Sequence, residues 1–398
     1  MKRVLILASV ASMIDQFNMT NIELLRKMGY EVDVACNFEK GNTCSVERIN
    51  ELKKTLKKQN VNYFQIDFER NIFKIHKNFK AYKQVSNLIK KNAYAFIHCH
   101  SPIGGVCGRI AGRFNNTKVI YTAHGFHFFK GAPLLNWLIY YPVELLLSRY
   151  TDVLININQE DYNRARKYFK AKKIEYIPGV GVNVNKFKET RVNRTEKRRE
   201  IGVPEDAILL VSVGELNKNK NHEVIIRALA KLNNTRIHYI LCGQGPLASY
   251  LSKLIKEYNL SDQVHLLGYR NDVNEIYKAS DIFCFPSQRE GLGLAAIEAM
   301  AAGLPIIASY VHGIKDYAEN EISGYFCSPH DYHKFAVYIE KLINDEELRN
   351  RISVYNSQAA EKFDSRHTID IMESIYREID SDMKYNSINR RKKHGRNV

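Results

Sequence analysis

The sequence predicts an α/β protein of two doubly wound domains, and three observations carry that prediction. Short apolar, β-rich runs alternate with amphipathic stretches along the chain, the pattern of parallel sheets covered by helices on both faces. The length, 398 residues, exceeds what one hydrophobic core usually supports. A polar, charged stretch without apolar periodicity, "VNKFKETRVNRTEKRREIGVPED" at 184–206, interrupts the alternation near the middle. The expected domains are therefore 1–184 and 185–365. A helix at about 366–383 packs back on the first domain, and a basic tail follows at 384–398.

The strands expected in the first half are "RVLILASV", "YEVDVACNF", "AFIHCHS", "KVIYTAHGF", "DVLININ" and "KIEYIPGVG". In the second half they are "AILLVSVG", "RIHYILCGQG", "QVHLLG", "DIFCFPS" and "LPIIAS". Between them, segments such as "NMTNIELLRKMG" repeat apolar residues every three to four positions and stop at glycine. "MKRVLILASVASM" imitates a short signal peptide, but a helix and a second strand follow at α/β spacing, so it reads as a first strand. "APLLNWLIYYPVELLLSRY" (132–150) is the most apolar stretch; Asn136, Pro142, Glu144 and Arg149 keep it from reading as a spanning helix.

Composition narrows the class. With 45% hydrophobic and 11% aromatic residues, the chain can bury sizeable cores. Seven scattered cysteines without a C-x-x-C pair suit a reducing compartment and predict a cytoplasmic protein. The net charge is +16, and residues 48–91 hold 12 Lys/Arg against 3 Asp/Glu. Such a field favours polyanions: a solvated basic surface, an anionic membrane face or a nucleic acid. No recognised nucleic-acid module accompanies it.

The chemistry concentrates in "SQREGLGLAAIEAMAAGLP" (287–305). A strand ends at Pro286 and a helix is expected to begin near 291–294, where Gly291 and Gly293 let the backbone turn and expose N–H groups. A helix N-terminus of this kind binds phosphate. Glu290 then lies in the loop before the helix and Glu298 lies along it. On spacing alone, the pair also reads as an N-terminal charge favoured by the helix dipole and an exposed helical residue. The neighbouring strand ends favour a site. "SVGELNKNKNHE" delivers Lys218 and Lys220, "LCGQGPL" brings Gly243 and Gly245, and "HLLGYRNDV" brings Gly268 and Arg270. Lysine and backbone amides for phosphates, with a carboxylate for two ribose hydroxyls, describe a nucleotide-diphosphate pocket.

Glu290 and Glu298 ahead of "AMAAGLP", with "GQGP" and "LLGYRNDVNEIYKASDIFCFPS", resemble the retaining GT-B glycosyltransferases of family 4, strongly over about 205–310. "IHCHSP" and "YTAHGFHF" extend the likeness more loosely into the first half. The resemblance implies two Rossmann-like domains facing across a cleft and sugar transfer from a nucleotide-diphosphate donor, by family habit a UDP-sugar. It assigns Glu298 to the donor ribose, Glu290 to the transferred sugar, the amides of Gly291, Leu292, Gly293 and Leu294 to the diphosphate, and Lys220 to its charge. The base falls to backbone near Gly268–Arg270, and His124 lies beside the donor sugar. Metal independence is implied as well; the spacing of His98, His100, His124 and His127 matches no zinc motif.

Two departures stand out. The family places arginine five residues before the lysine and glycine after it, whereas this chain has Glu215 and Asn221, with Lys218 or Arg270 as substitute cations. The N-terminal loop, glycine-rich in the family, reads "SVASMIDQFNM", which leaves Ser12, Asp15, Gln16 and Asn18, with His127, as acceptor-side candidates. The basic segment and the apolar 132–150 stretch suit a lipid-linked saccharide acceptor in capsule or exopolysaccharide assembly, with the protein peripheral on the inner face of the membrane. A sugar-nucleotide 2-epimerase on the same fold is the alternative, and a basic nucleic-acid-binding protein a more distant one.

Overall fold

The computed structural model describes residues 1–394, with side chains through 381; the basic tail expected at 384–398 lies outside the residues whose side chains are described. The chain forms two compact units, Met1–Val180 together with the chain from Arg366, and Gly181–Ser365.

The first unit holds seven parallel strands: β1 (Arg3–Val10), β2 (Glu31–Asn37), β3 (Asn62–Gln65), β4 (Phe96–His100), β5 (Lys118–Ala123), β6 (Val153–Asn156) and β7 (Lys173–Tyr176), in the order β3-β2-β1-β4-β5-β6-β7. β1 and β4 are buried almost throughout, as expected for central strands covered on both faces. Connections from β1 to β3 step toward one edge and those from β3 to β7 toward the other, so right-handed crossovers put their helices on opposite faces. One core cluster accordingly joins Ala81, Val85 and Ile89 of helix Ile75–Asn92 to Cys107 and Ala111 of helix Pro102–Phe114, with Trp137 and Leu145 of helix Leu134–Ser148 packed against it. On the opposite face, Tyr376 of the C-terminal helix (Ser365–His394) stacks on Phe96 at 5.7 Å between ring centres.

The second unit repeats the plan with six parallel strands: β8 (Ile208–Val213), β9 (Ile237–Cys242), β10 (Val264–Gly268), β11 (Ile282–Phe285), β12 (Ile306–Ser309) and β13 (Gly324–Cys327), ordered β10-β9-β8-β11-β12-β13. The fold is the α/β, doubly wound, Rossmann-like class the sequence predicts. Every expected run is a strand, and the structure adds two short edge strands, β3 and β13. "NYFQ" of β3 is half polar and never fully buried, so it carries neither alternation nor an apolar run. Strand order reverses between β1 and β4 in the first sheet and between β8 and β11 in the second; ligands of such sheets bind at the carboxyl ends beside the reversal. Among the described residues, no helix is long and apolar enough to cross a membrane.

Candidate active site

In the second unit, the reversal point gathers the loop after β8 and the loop after β11. Lys220 Nζ lies 2.6 Å from Glu290 Oε1, both side chains largely shielded, and 4.8 Å from the centre of the Phe285 ring. The loop that presents the lysine is tied at each step. Asn217 Oδ1 accepts from the Lys220 N–H, Asn219 donates to the Arg289 carbonyl, and Asn221 donates to the carbonyls of Pro286 and Pro329. Asn221 has φ of +57°, the left-handed region where glycine is at home and asparagine is the side chain that best tolerates it. The departure from the family's glycine is thus conservative in backbone terms, and the amide adds two hydrogen bonds.

Gly293 caps helix Leu294–Ala301 at φ +89°, and among the described residues no side-chain cap bond is made there. A Cβ there would lie 2.7 Å from the Phe285 ring and 2.8 Å from the Tyr317 hydroxyl, so only glycine closes this turn. Gly291 and Leu292 precede it and rest on Gly313, where a Cβ would stand 1.9 Å from the Gly291 carbonyl oxygen; the Gly313 N–H donates to the Glu290 carbonyl. Sequence reasoning passed over Gly313 and Tyr317; the signal was a His-Gly pair in the loop just past β12. The first-turn amides, Leu294 included, point where the dipole favours an anion. Glu298 is one turn inside, with Tyr277 Oη 3.4 Å from Oε2, and burial raises its pKa.

Other expected residues also hold the loops together. Gly243 and Gly245 are glycines because backbone crosses backbone: a Cβ would lie 1.9 Å from the Gly214 oxygen and 2.4 Å from the Leu216 oxygen. Gly268 accepts at its carbonyl from the Gly243 N–H. Arg270 is committed to Asp272, at 2.8 and 2.6 Å, and to Glu200 at 2.5 Å, carboxylates that Lys197 also holds. Glu215 accepts from Asn217, and Lys218 is exposed. Of Lys218, Lys220 and Arg270, Lys220 is the one that pairs with Glu290 before the helix.

In the first unit, the chain runs from β1 directly into helix Ala11–Phe17, so the stretch expected as a loop is helical and needs no glycine. Ser12 is buried, its N–H donating to Asn42 and its hydroxyl accepting from the Thr43 N–H. Asp15 is held by Arg48 through two bonds of 2.9 Å, and Asn18 is buried, bonded to Met13 and Asn21. Gln16 is exposed, and His127 stacks on Tyr140 at 4.4 Å.

His124, half-buried past the end of β5, places Nε2 3.0 Å from His100 Nδ1 and packs its ring on Phe17. His98, its ring centre 4.1 Å from that of His100 and tilted by 41°, bridges Tyr376 Oη and Thr122 Oγ1 at 2.8 Å each. A half-open pocket lined by Phe17, His100, Thr122 and Met372 adjoins the group. Burial drives these rings toward the neutral form, aided at His98 and His100 by the neighbouring histidines: His98 falls to about 3, His124 to about 4, and His100 well below its usual value. The sign follows. Depressed histidines stabilise the fold above their unfolded value near 6.5, and that stability drains as pH falls toward 4 and 3. Each contributes up to about 1.4 kcal/mol per pH unit in that window. Urea unfolding followed by Trp137 fluorescence should show a much lower midpoint at pH 5 than at pH 7; equal midpoints would refute the assignment.

Among the described residues, no group of three His, Cys, Asp or Glu is placed to hold a metal ion. Comparison with known proteins supplies the rest. Residues 193–359 match the family described as glycosyl transferases group 1, and residues 3–158 the glycosyl transferase 4-like family. A Bacillus subtilis protein named glycosyltransferase EpsD is 34% identical over 97% of this chain and all of its own length. The UDP-Gal:alpha-D-GlcNAc-diphosphoundecaprenol alpha-1,3-galactosyltransferase of Escherichia coli is 30% identical over 77% of this chain and 81% of its own. The fold is shared with Anabaena HepE, solved with UDP-glucose, at a TM-score of 0.75 and 18% identity over 97% of this chain and all of that one. It is shared too with the sucrose-phosphate synthase of Thermosynechococcus elongatus, at 0.78 and 20% over 96% and 100%. With Glu290 before the helix, Glu298 one turn inside it and both halves matched, the chain belongs to the GT-B glycosyltransferases of family 4, enzymes that transfer a sugar from a nucleotide-sugar donor.

Proposed function

We propose that this protein is a retaining glycosyltransferase that moves a sugar from a UDP-sugar to a hydroxyl of a lipid-linked saccharide in capsule or exopolysaccharide assembly. The observation that carries the reading is the Lys220–Glu290 pair, 2.6 Å apart at the strand-order reversal beside an uncapped helix N-terminus. The relative named as acting on a diphosphoundecaprenol acceptor and the neighbour solved with UDP-glucose support the choice of acceptor and donor.

The roles follow from charge. Glu298 accepts from the two ribose hydroxyls, and Glu290 from hydroxyls of the transferred sugar. As the bond from the anomeric carbon to the diphosphate oxygen breaks, negative charge grows on the leaving group, where Lys220 and the amides of residues 291–294 stabilise it. The acceptor hydroxyl attacks the oxocarbenium-like carbon on the face the diphosphate leaves, and its proton passes to the departing phosphate oxygen. That route retains configuration and needs no enzyme base. In the first unit, His124, with Nε2 engaged by His100, keeps Nδ1 for a sugar hydroxyl or phosphate oxygen. The test is a thermal-shift panel of UDP, GDP and ADP, then product analysis by NMR with and without a saccharide acceptor. UDP alone should stabilise the protein, and the product should keep the donor's anomeric configuration. An inverted product ends the retaining reading, and a new sugar nucleotide formed without acceptor points to 2-epimerisation.

A further inference from the structure

Helix Leu134–Ser148 is built inside out. Its one carboxylate, Glu144, points into the core, where Oε2 accepts from Arg109 Nη1 at 2.7 Å and Oε1 from the Tyr121 hydroxyl at 3.3 Å. Arg109 is itself fully buried, its guanidinium 4.0 Å from the Tyr121 ring centre. The outward side carries leucine: Leu134 is 74%, Leu135 63%, Leu138 66% and Leu146 55% exposed. At helical spacing these four and exposed Pro142 fall within one stripe about 120° wide. Phe114, at the end of the adjacent helix Pro102–Phe114, is 73% exposed. The stripe is surplus to packing, because Trp137 and Tyr141 already fill the inward side against Phe128. Continuous exposed apolar surface of this kind marks an interaction site.

We propose that this stripe docks on an anionic lipid surface, with the leucines at the boundary between headgroups and acyl chains. The inference rests on the reading that the acceptor is lipid-linked. Charge selects lipid as the occupant. Exposed Lys130, Arg113 and Arg149 flank the stripe, and its one acid is turned inward. Helix Ile75–Asn92, in the same helical layer, contains no acidic residue and exposes Lys83, Lys90 and Lys91, with Lys83 over the exposed Phe79 ring. Leucine stripes bordered by cations are how interfacial helices bind bilayers. Part of the sequence's basic segment is set aside: helix Val46–Lys58 belongs to the opposite face of the sheet, and Lys74 and Lys80 pair with Glu69 and Asp67. The stripe begins ten residues past His124, on the segment that leaves the carboxyl end of β5, so docking holds the bilayer beside that end of the sheet.

The test is co-sedimentation of the full chain with vesicles of equal parts phosphatidylglycerol and phosphatidylcholine at low salt, with light scattering of the free protein. Wild type should bind. Leu134→Ser, Leu138→Ser and Leu146→Ser combined should weaken binding about tenfold or more. Lys83→Gln, Lys90→Gln and Lys91→Gln combined should remove most of its salt dependence. The substituted side chains are already exposed, so folding should persist, and the single variant Leu146→Gln keeps the test open if the triple fails to fold. Wild type remaining in the supernatant overturns the proposal, as does a leucine variant that binds undiminished. A wild-type dimer that the leucine variant splits does so too, because the stripe would then cover a second copy. UDP stabilisation measured on the same samples separates the two readings: its loss in wild type strikes at the donor site, whereas its persistence without vesicle binding strikes only at the stripe.

Discussion

Lys220→Ala should lower kcat by about two to three orders of magnitude and abolish stabilisation by UDP, while the melting temperature of the free protein falls only modestly. The rate effect is that of removing one preorganised cation from a leaving group that gains charge in the transition state. Stability should fall only modestly, because the Lys220–Glu290 pair is part-buried, 20% and 12% exposed, and water can reach the Glu290 carboxylate once its cation is gone. Binding loses more: a ligand at a hundredfold excess over Kd stabilises by about 2.7 kcal/mol, and the lysine supplies the only side-chain cation argued above to meet the phosphates. Lys218→Ala, two residues away and exposed, is the control and should leave rate and UDP response intact. Arg270→Ala should cost stability through the Asp272 and Glu200 contacts more than it costs the nucleotide response. If Lys220→Ala turns over at near wild-type rate while Arg270→Ala does not, the phosphate site has been placed at the wrong strand end.

Much of this was legible because β8, β9 and β10 end at or beside Gly214, Gly243 and Gly268, and the loop after β11 carries Glu290 just ahead of a helix start. What a single sequence hides is the meaning of its departures. Asn221 reads as a lost glycine until φ of +57° shows that it keeps the glycine's backbone. The glycine-free 9–19 stretch reads as an abnormal loop until β1 is seen to enter a helix without one. Gly243 and Gly245 suggest a ligand's approach, and the structure adds a second demand for glycine there, the backbone of the neighbouring loop. The histidine group is invisible for a different reason. His98, His100, His124 and Tyr376 meet only through strand register and a helix some 250 residues further along, with His98 and Tyr376 separated by 278 positions. Periodicity fails at 132–150 because both sides of that helix are apolar, and nothing in the spacing says that the carboxylate faces in.

Glu144→Leu should destabilise the first unit by about 3–5 kcal/mol, because it leaves the Arg109 guanidinium charged, buried and unanswered. Arg109→Met with Glu144→Leu should restore most of that loss, since replacing a buried ion pair by apolar side chains of similar volume is often neutral. The double-mutant cycle isolates the pair, and the single tryptophan, Trp137 of the same helix, reports unfolding of the unit that contains it. A loss below about 1 kcal/mol for Glu144→Leu would show that water or a rearranged partner already screens the arginine. A double variant as unstable as the single would instead make the side chains' shape, not their charges, the contribution. The cycle also separates stability from orientation. An apolar helix with no inward charge has less reason to keep one side toward the core. If the stable double variant binds vesicles more weakly than wild type, the buried pair is there to aim the leucines outward. If it binds as well, packing of Trp137 and Tyr141 against Phe128 is enough to set the helix's rotation.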